Sequence, residues 1–99
     1  MKYQVFFTDV AFAEAVQHVE FLMRVSAEAA KQLSMDFSHL ESTLCENPFL
    51  WPVVPFPGKR EYRSLVLQER YLVIFIIDND IVYVETIIDA RSQFSWLLG

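Results

Sequence analysis

The strongest constraint on how this chain can fold lies in residues 62–91, YRSLVLQERYLVIFIIDNDIVYVETIIDAR, where three short apolar segments are separated by two polar turns. Residues 65–67, 71–77 and 81–88 are rich in β-branched and aromatic side chains, which suit a pleated, half-buried surface. Gln68, Glu69 and Arg70 break the first pair of segments. Asp78, Asn79 and Asp80 break the second, and such side chains tolerate left-handed backbone and bond to their own turn. The reading is a three-stranded meander. Its middle segment, YLVIFII, is too apolar for simple alternation, so it belongs in the centre of a sheet with both faces covered, one by helices and the other by a partner.

With 99 residues the chain is one domain, spanning 1–99, with a modest core. An apolar share of 54% and an aromatic share of 15% leave two uses for that surface, an aromatic core or a docking face. No apolar run approaches the roughly 18–20 residues that cross a bilayer. The opening MKYQVFFTDV lacks the long apolar stretch and cleavage site of a signal peptide, so the expectation is a cytoplasmic protein. Cys45 is the single cysteine, and with His18 and His39 as the two histidines no metal constellation forms. Cys45 reads as a small buried hydrophobe late in a helix, and both histidines as solvated helix-face residues. No cofactor motif is present.

The net charge of −5 has the wrong sign for affinity based on phosphate contacts. It is unevenly placed: three basic and seven acidic residues precede Lys59, against five basic and six acidic from there on. Lys59, Arg60, Arg63 and Arg70 cluster around the first meander strand, which leaves room for a local positive patch.

The N-terminal half has helical period. Tyr3, Val5 and Phe7 alternate as a strand before Thr8 and Asp9, both competent helix caps. Phe12, Val16, Val19 and Met23 then recur at spacings of four, three and four, an amphipathic stripe assigned to the core. Ser26 caps a second helix whose stripe is Ala30, Leu33, Phe37, Leu40 and Leu44. The two form an αα-hairpin. Pro48 ends it, and Pro52, Pro55, Pro57 and Gly58 are expected to keep the following residues out of helix and sheet. Phe49, Trp51, Val53 and Phe56 in this linker are expected to seal one end of the core, with Trp51 as an exposed partner anchor in the other reading. Ser92 is placed as the cap of a final short turn carrying Phe94, Leu97 and Leu98.

Taken in order, the Tyr3-to-Thr8 strand, the Ser26, Ala29, Ala30 and Leu33 helix entry, the Leu44-to-Pro48 exit with Pro52, Tyr62-Arg63, Arg70-Tyr71, and Arg91 before an apolar tail resemble the RelE/ParE superfamily of bacterial toxins. These are the poison halves of type II toxin–antitoxin pairs, and the resemblance runs over nearly the whole chain. It implies a cognate antitoxin as partner, with a helix in a groove or a strand on a sheet edge, and points to the helix-hairpin face and to Phe94, Trp96 and Leu97 as its contacts. RelE-like members cleave messenger RNA on the ribosome; ParE-like members, the plasmid-stabilisation branch, inhibit DNA gyrase. Metal-free RNA cleavage needs a base, an acid and cations at the phosphorane. Carried over by position, two of the four basic roles fall on Arg63 and Arg91. The other two, and that of a terminal tyrosine, fall on Leu65, Leu72 and Leu97, which transfer no proton. The ParE-like branch is therefore favoured, with Lys59, Arg60, Arg70 and Arg91 as candidate contacts to a target or nucleic acid. A ribonuclease and an inactive member with only an interaction surface are the alternatives.

The expected fold is α+β: an αα-hairpin packed on a twisted, mainly antiparallel four-stranded sheet, in the order β-α-α-β-β-β with a short C-terminal helix. The oligomeric state, homo-oligomer included, stays open.

Overall fold

The computed structural model describes residues 2–58 and 60–93, the last two by backbone alone. Its elements are β1 (Gln4–Phe7), α1 (Asp9–Met23), α2 (Ala27–Glu46), a 3-10 turn (Pro48–Leu50), β2 (Val53–Val54), β3 (Tyr62–Leu67), β4 (Tyr71–Asp78), β5 (Ile81–Asp89) and α3 (Ala90–Gln93). The sheet order is β1-β5-β4-β3-β2, with β1 parallel to β5 and every other pair antiparallel. The meander is present as read. The sheet has five strands where four were expected, because Val53 and Val54 pair with Arg63 and Tyr62. Proline is compatible with such an edge: Pro52 needs no N–H here and instead accepts from Ser64 N through its carbonyl at 3.1 Å.

Both meander turns use left-handed backbone. Gln68 and Glu69 have φ of 55° and 53°, and Asn79 has φ of 56° in the two-residue turn that joins Asp78 to Ile81. Helix starts follow the sequence signals. Thr8 and Ser26 cap α1 and α2, their hydroxyls accepting from Ala11 N at 3.1 Å and Ala29 N at 3.2 Å. At the other end of the chain α3 starts at Ala90, so Ser92 stands inside a helical turn and not at its cap.

Six consecutive residues of β4, 71–76, are buried, as a central strand requires. On the helix side Tyr71, Val73 and Phe75 meet Leu65, Val82, Val84, Ile87 and the α2 stripe of Ala30, Leu33, Leu40 and Leu44. On the far side Leu72, Ile74 and Ile76 pack with Tyr62, Val54 and Phe56. That face is thus buried within the single chain, with Val54 and Phe56 among the side chains packed on it, where a partner had been expected. Trp51 joins the helix-side core half-buried, but Phe49 and Val53 are exposed and seal nothing. Cys45 is half-buried near the end of α2.

The core face of α1 differs from the expected one by a single residue. Ala11, Ala15 and Leu22 are buried, whereas Phe12 is 63% exposed, Val16 41% and Met23 63%; of the expected stripe Val19 does pack against the core, half-buried. Residues 11, 15, 18 and 22 share the 4-3-4 spacing of 12, 16, 19 and 23, so periodicity cannot choose between these adjacent rows. Packing chooses the row with two alanines, whose small side chains let the helix lie close to the sheet.

Candidate functional site

The rotation of α1 follows from the sheet edge beneath it. β1 is four residues long and pairs with residues 81–84 of a nine-residue β5. Beyond Val84 the backbone of β5 has no strand on that side, and a buried edge must find other partners. Side chains of the α1 segment provide them. Thr8 donates its backbone N–H to Val84 O at 3.0 Å and its hydroxyl to Glu85 O at 3.1 Å. Glu14 Oε1 accepts from Ile87 N at 3.0 Å and from the Thr86 hydroxyl at 2.6 Å. His18 Nε2 donates to Ile87 O at 2.9 Å. The stand-in for a strand is therefore an i, i+4 pair, Glu14 and His18, on one helix face. A bulge marks the changeover: Ile74 pairs with Thr86 but Phe75 with Val84, leaving Glu85 as the extra residue.

His18 is consequently half-buried, its ring 4.9 Å from that of Tyr71, and not the solvated residue that its charged neighbours in sequence imply. Glu14 and Thr86 carried no signal in the sequence. Only the i, i+4 spacing of two polar groups on a helix facing a strand longer than its neighbour hints at them. His39 is exposed, as read.

Facing away from this seam, the row that α1 leaves outside forms one wall of an open apolar groove of about 400 Å³. Phe12, Val16 and Val19 line it from α1, Phe37 from α2 and Phe7 from β1, with Ala15, Glu20, Ser34 and Ser38 completing the lining. Val10, Phe21, Met23, Val25 and Met35 on the same hairpin are also exposed. An open apolar groove of this kind is a candidate docking surface.

The arginine candidates lie elsewhere, and each described one meets a carboxylate. Arg63 donates to Trp51 O at 2.7 Å, contacts Glu61 at 3.4 Å and lies over the Phe49 ring. Arg70 makes a two-nitrogen contact with Asp89 Oδ2, at 2.9 and 3.2 Å, and lies 4.9 Å over the Tyr71 ring. Arg60 stands 3.7 Å from Asp78. Arg91 reaches Asp89 at 3.6 Å with its side chain 65% exposed, which makes it the most accessible of the four. Arg70 and Arg91 thus share Asp89. Arg63 is apart from them: it pairs with Phe75, four residues along β4 from the Tyr71–Asp89 pair, or about 13 Å along the strand. Burial alone would raise the Asp89 carboxyl, but hydrogen bonds from Arg70 and the Arg91 N–H, with both positive charges, hold it below the usual range. Burial pushes the Tyr71 hydroxyl up, helped by Asp89 and opposed by the two arginines.

Leu65 and Leu72, the residues onto which the sequence resemblance carries two basic roles, are buried in the cores on opposite faces of the sheet. Lys59, Phe94, Trp96, Leu97 and Leu98 lie outside the described residues. Among the described residues no three His, Cys, Asp or Glu side chains are placed to hold a metal ion, and no helix is long and apolar enough to cross a membrane.

No protein-family model matches the sequence, and no curated protein matches it. A chain from the solved structure of the chromosomal ParDE TA system from P. aeruginosa superimposes with a TM-score of 0.72 at 15% identity, over 88% of this chain and 95% of that one. An αα-hairpin on a mixed five-stranded sheet is therefore the fold that this chain shares with a ParDE chain, in agreement with the resemblance drawn from its sequence.

Proposed function

We propose that the chain is the toxin of a type II toxin–antitoxin pair: a ParE-like cytoplasmic protein that poisons a protein target such as DNA gyrase and is silenced by an antitoxin on the helical hairpin. One observation carries the partner half of this reading. A monomer leaves Phe12, Val16 and Met23 in water although the adjacent face of the same helix is packed, which is unfavourable by about 25 cal/mol for each Å² of apolar surface a partner would cover. The ParE-like branch is supported over the ribonuclease by Leu65 and Leu72, which sit in the core where that chemistry needs accessible cations. Arg91 is the leading target contact; Arg70, which shares Asp89 with it, and Arg60 and Lys59 are the other candidates.

Controlled expression in bacteria, without and then with the small protein encoded next to this one, tests the reading. Growth arrest with falling DNA supercoiling and intact translation, relieved by the neighbour, is the expected result. Immediate translation arrest with cut messages overturns the gyrase assignment. Unaffected growth with folded protein present overturns the toxin assignment in that host. Arg91→Ala is expected to relieve the arrest without unfolding the protein; full toxicity of that variant removes Arg91 from the contact surface.

A further inference from the structure

An unpaired sheet edge is a template for another strand, and proteins blunt such edges with proline, charge, brevity or cover. On one side of this sheet β2 has only two residues, set between Pro52 and Pro55. On the other, the part of β5 beyond β1 is covered by Thr8, Glu14 and His18. β1 lacks such protection: Gln4–Phe7 reads QVFF, without proline or charge. Bonds from Gln4 N to Asp80 O and from Thr8 N to Val84 O, at 2.9 and 3.0 Å, fix the phase of its ladder with β5. Residues 4, 6 and 8 turn their backbone groups inward, so Val5 and Phe7 turn theirs outward. Tyr3 N, also on the outward side, is taken by Cys45 O at 2.9 Å, but among the described residues nothing bonds to the N–H and C=O groups of Val5 and Phe7.

These outward groups are their own complement. Laid antiparallel against a second β1, Val5 exchanges both of its bonds with the partner's Phe7, and Phe7 with the partner's Val5, so that every outward group is paired about a two-fold axis at Phe6. Moving the register by two residues faces Phe7 with the partner's Tyr3, whose N–H is already used, or Val5 with the partner's Asp9, already in α1. Phe6 is 49% exposed on the face away from the helices and stacks on Tyr83 with ring centroids 6.1 Å apart. On the axis it meets the partner's Phe6 in a non-hydrogen-bonded pair, the closer kind, which extends the aromatic row across both copies. A buried phenylalanine covers about 150–250 Å², so Phe6 and Phe12, 49% and 63% exposed, offer roughly 200 Å² per chain. With Val10 and the strand backbones the pair covers about 1,000 Å² in all, the lower bound for a specific interface. We propose that β1 pairs antiparallel with β1 of a second copy, centred on Phe6, in a reversible dimer that joins the two five-stranded sheets into one. No foreign strand is needed to satisfy this edge, and the pairing requires neither toxin activity nor an antitoxin.

Sedimentation velocity on the full purified chain over about 5–500 µM reads the association, with an expected Kd on the order of 10–100 µM for an interface of this size. Each copy carries a net −5, so affinity rises as salt goes from about 0.05 to 0.5 M and screens the repulsion. The register is read by cross-linking in a Cys45→Ser background. Phe6→Cys, whose Cα atoms meet across the axis at about 4.5 Å, forms a disulfide on mild oxidation; Gln4→Cys, about 13 Å from its copy along the strands, does not. Val5→Pro removes an outward N–H and leaves the β1–β5 ladder whole, and Phe6→Glu sets two like charges on the axis; each weakens the dimer roughly tenfold or more while circular dichroism shows the fold kept. Where a variant unfolds, the Phe6→Cys cross-link decides. A monomer at about 500 µM, a dimer that survives in both folded variants, or equal cross-linking at positions 4 and 6 overturns the pairing. Affinity that falls with salt places the contact elsewhere and overturns it too. A monomer whose Val5 and Phe7 amides gain hydrogen-exchange protection only when the neighbouring protein is added overturns it in favour of a partner's strand.

Discussion

Replacing Glu14 by alanine removes the acceptor that closes the open part of β5. The Ile87 amide, 3.0 Å from Glu14 Oε1, and the Thr86 hydroxyl, 2.6 Å from the same oxygen, both lose a charged partner in a half-buried seam. A hydrogen bond to a charged group contributes about 1.5–3 kcal/mol, and an unpaired buried donor costs about 1–3 kcal/mol. Water reaches part of the seam and the hydroxyl can turn toward it, so the expected loss is about 2–3 kcal/mol for the two bonds together. The higher helix propensity of alanine offsets only a few tenths of this. In a domain of this size the loss lowers the melting temperature by about 8–20 °C. Glu14→Gln keeps one acceptor oxygen and is expected to lose about half as much. Urea unfolding at pH 7 measures the stability change, and amide hydrogen exchange reads the seam directly: Ile87 should exchange faster in Glu14→Ala even where the central strand β4 remains protected. An unchanged midpoint with an unchanged Ile87 exchange rate would refute the idea that α1 replaces a missing strand.

The remaining predictions concern groups around the same end of the sheet and the β2–β3 loop. Asp89 has a depressed folded pKa, so the unfolded chain takes up its proton first; the stability it contributes is full above the unfolded value of about 4 and is lost as pH falls through the folded value. Stability measured from pH 5 downward should therefore fall more steeply in the wild type than in Asp89→Asn, and parallel slopes would exclude Asp89 as the cause. Tyr71 has the opposite sign: its folded pKa is raised, so its contribution is full below the unfolded value of about 10 and is lost as pH rises through the folded value. Its buried hydroxyl has no hydrogen-bond partner among the described residues, so Tyr71→Phe should be neutral or stabilising by up to about 1 kcal/mol at pH 7 and should flatten the alkaline decline; a loss of stability would reveal a bond to that oxygen. At Gly58, with φ of 146°, an added Cβ would come within 2.8 Å of Tyr62 Oη and 2.9 Å of Cε2. Gly58→Ala is thus expected to cost about 1–3 kcal/mol by chemical denaturation, and wild-type stability would show that the loop shifts freely.

The meander, its two turns, both helix caps and the α2 stripe were all legible in the sequence, because each depends on chemistry within a few residues: β-branched runs, left-handed Asn79, the Thr8 and Ser26 hydroxyls, and apolar spacing of three and four. The short β2 was not. Its two valines form a strand only through Arg63 and Tyr62, which are distant in sequence, and the surrounding prolines argue locally against it.

The groove was hidden for a related reason. α1 carries two adjacent rows of identical spacing, and nothing within the helix says which one meets the sheet. What decides is the mismatch in length between β1 and β5: the unpaired backbone at Glu85 and Ile87 draws in Thr8, Glu14 and His18, and this turns Ala11 and Ala15 inward and Phe12 and Val16 outward. The arginines show the same division. The pairs Arg63–Glu61 and Arg91–Asp89 join residues two apart and are visible in the residue order, whereas Arg60–Asp78 and Arg70–Asp89 arise from strand register and turn geometry. Apart from β2, the sequence alone determined which segments become helix or strand, since those preferences are local. Which helix face is left for a partner, and which charges remain uncompensated, was decided only when distant strands of unequal length came together and their backbone groups had to be satisfied.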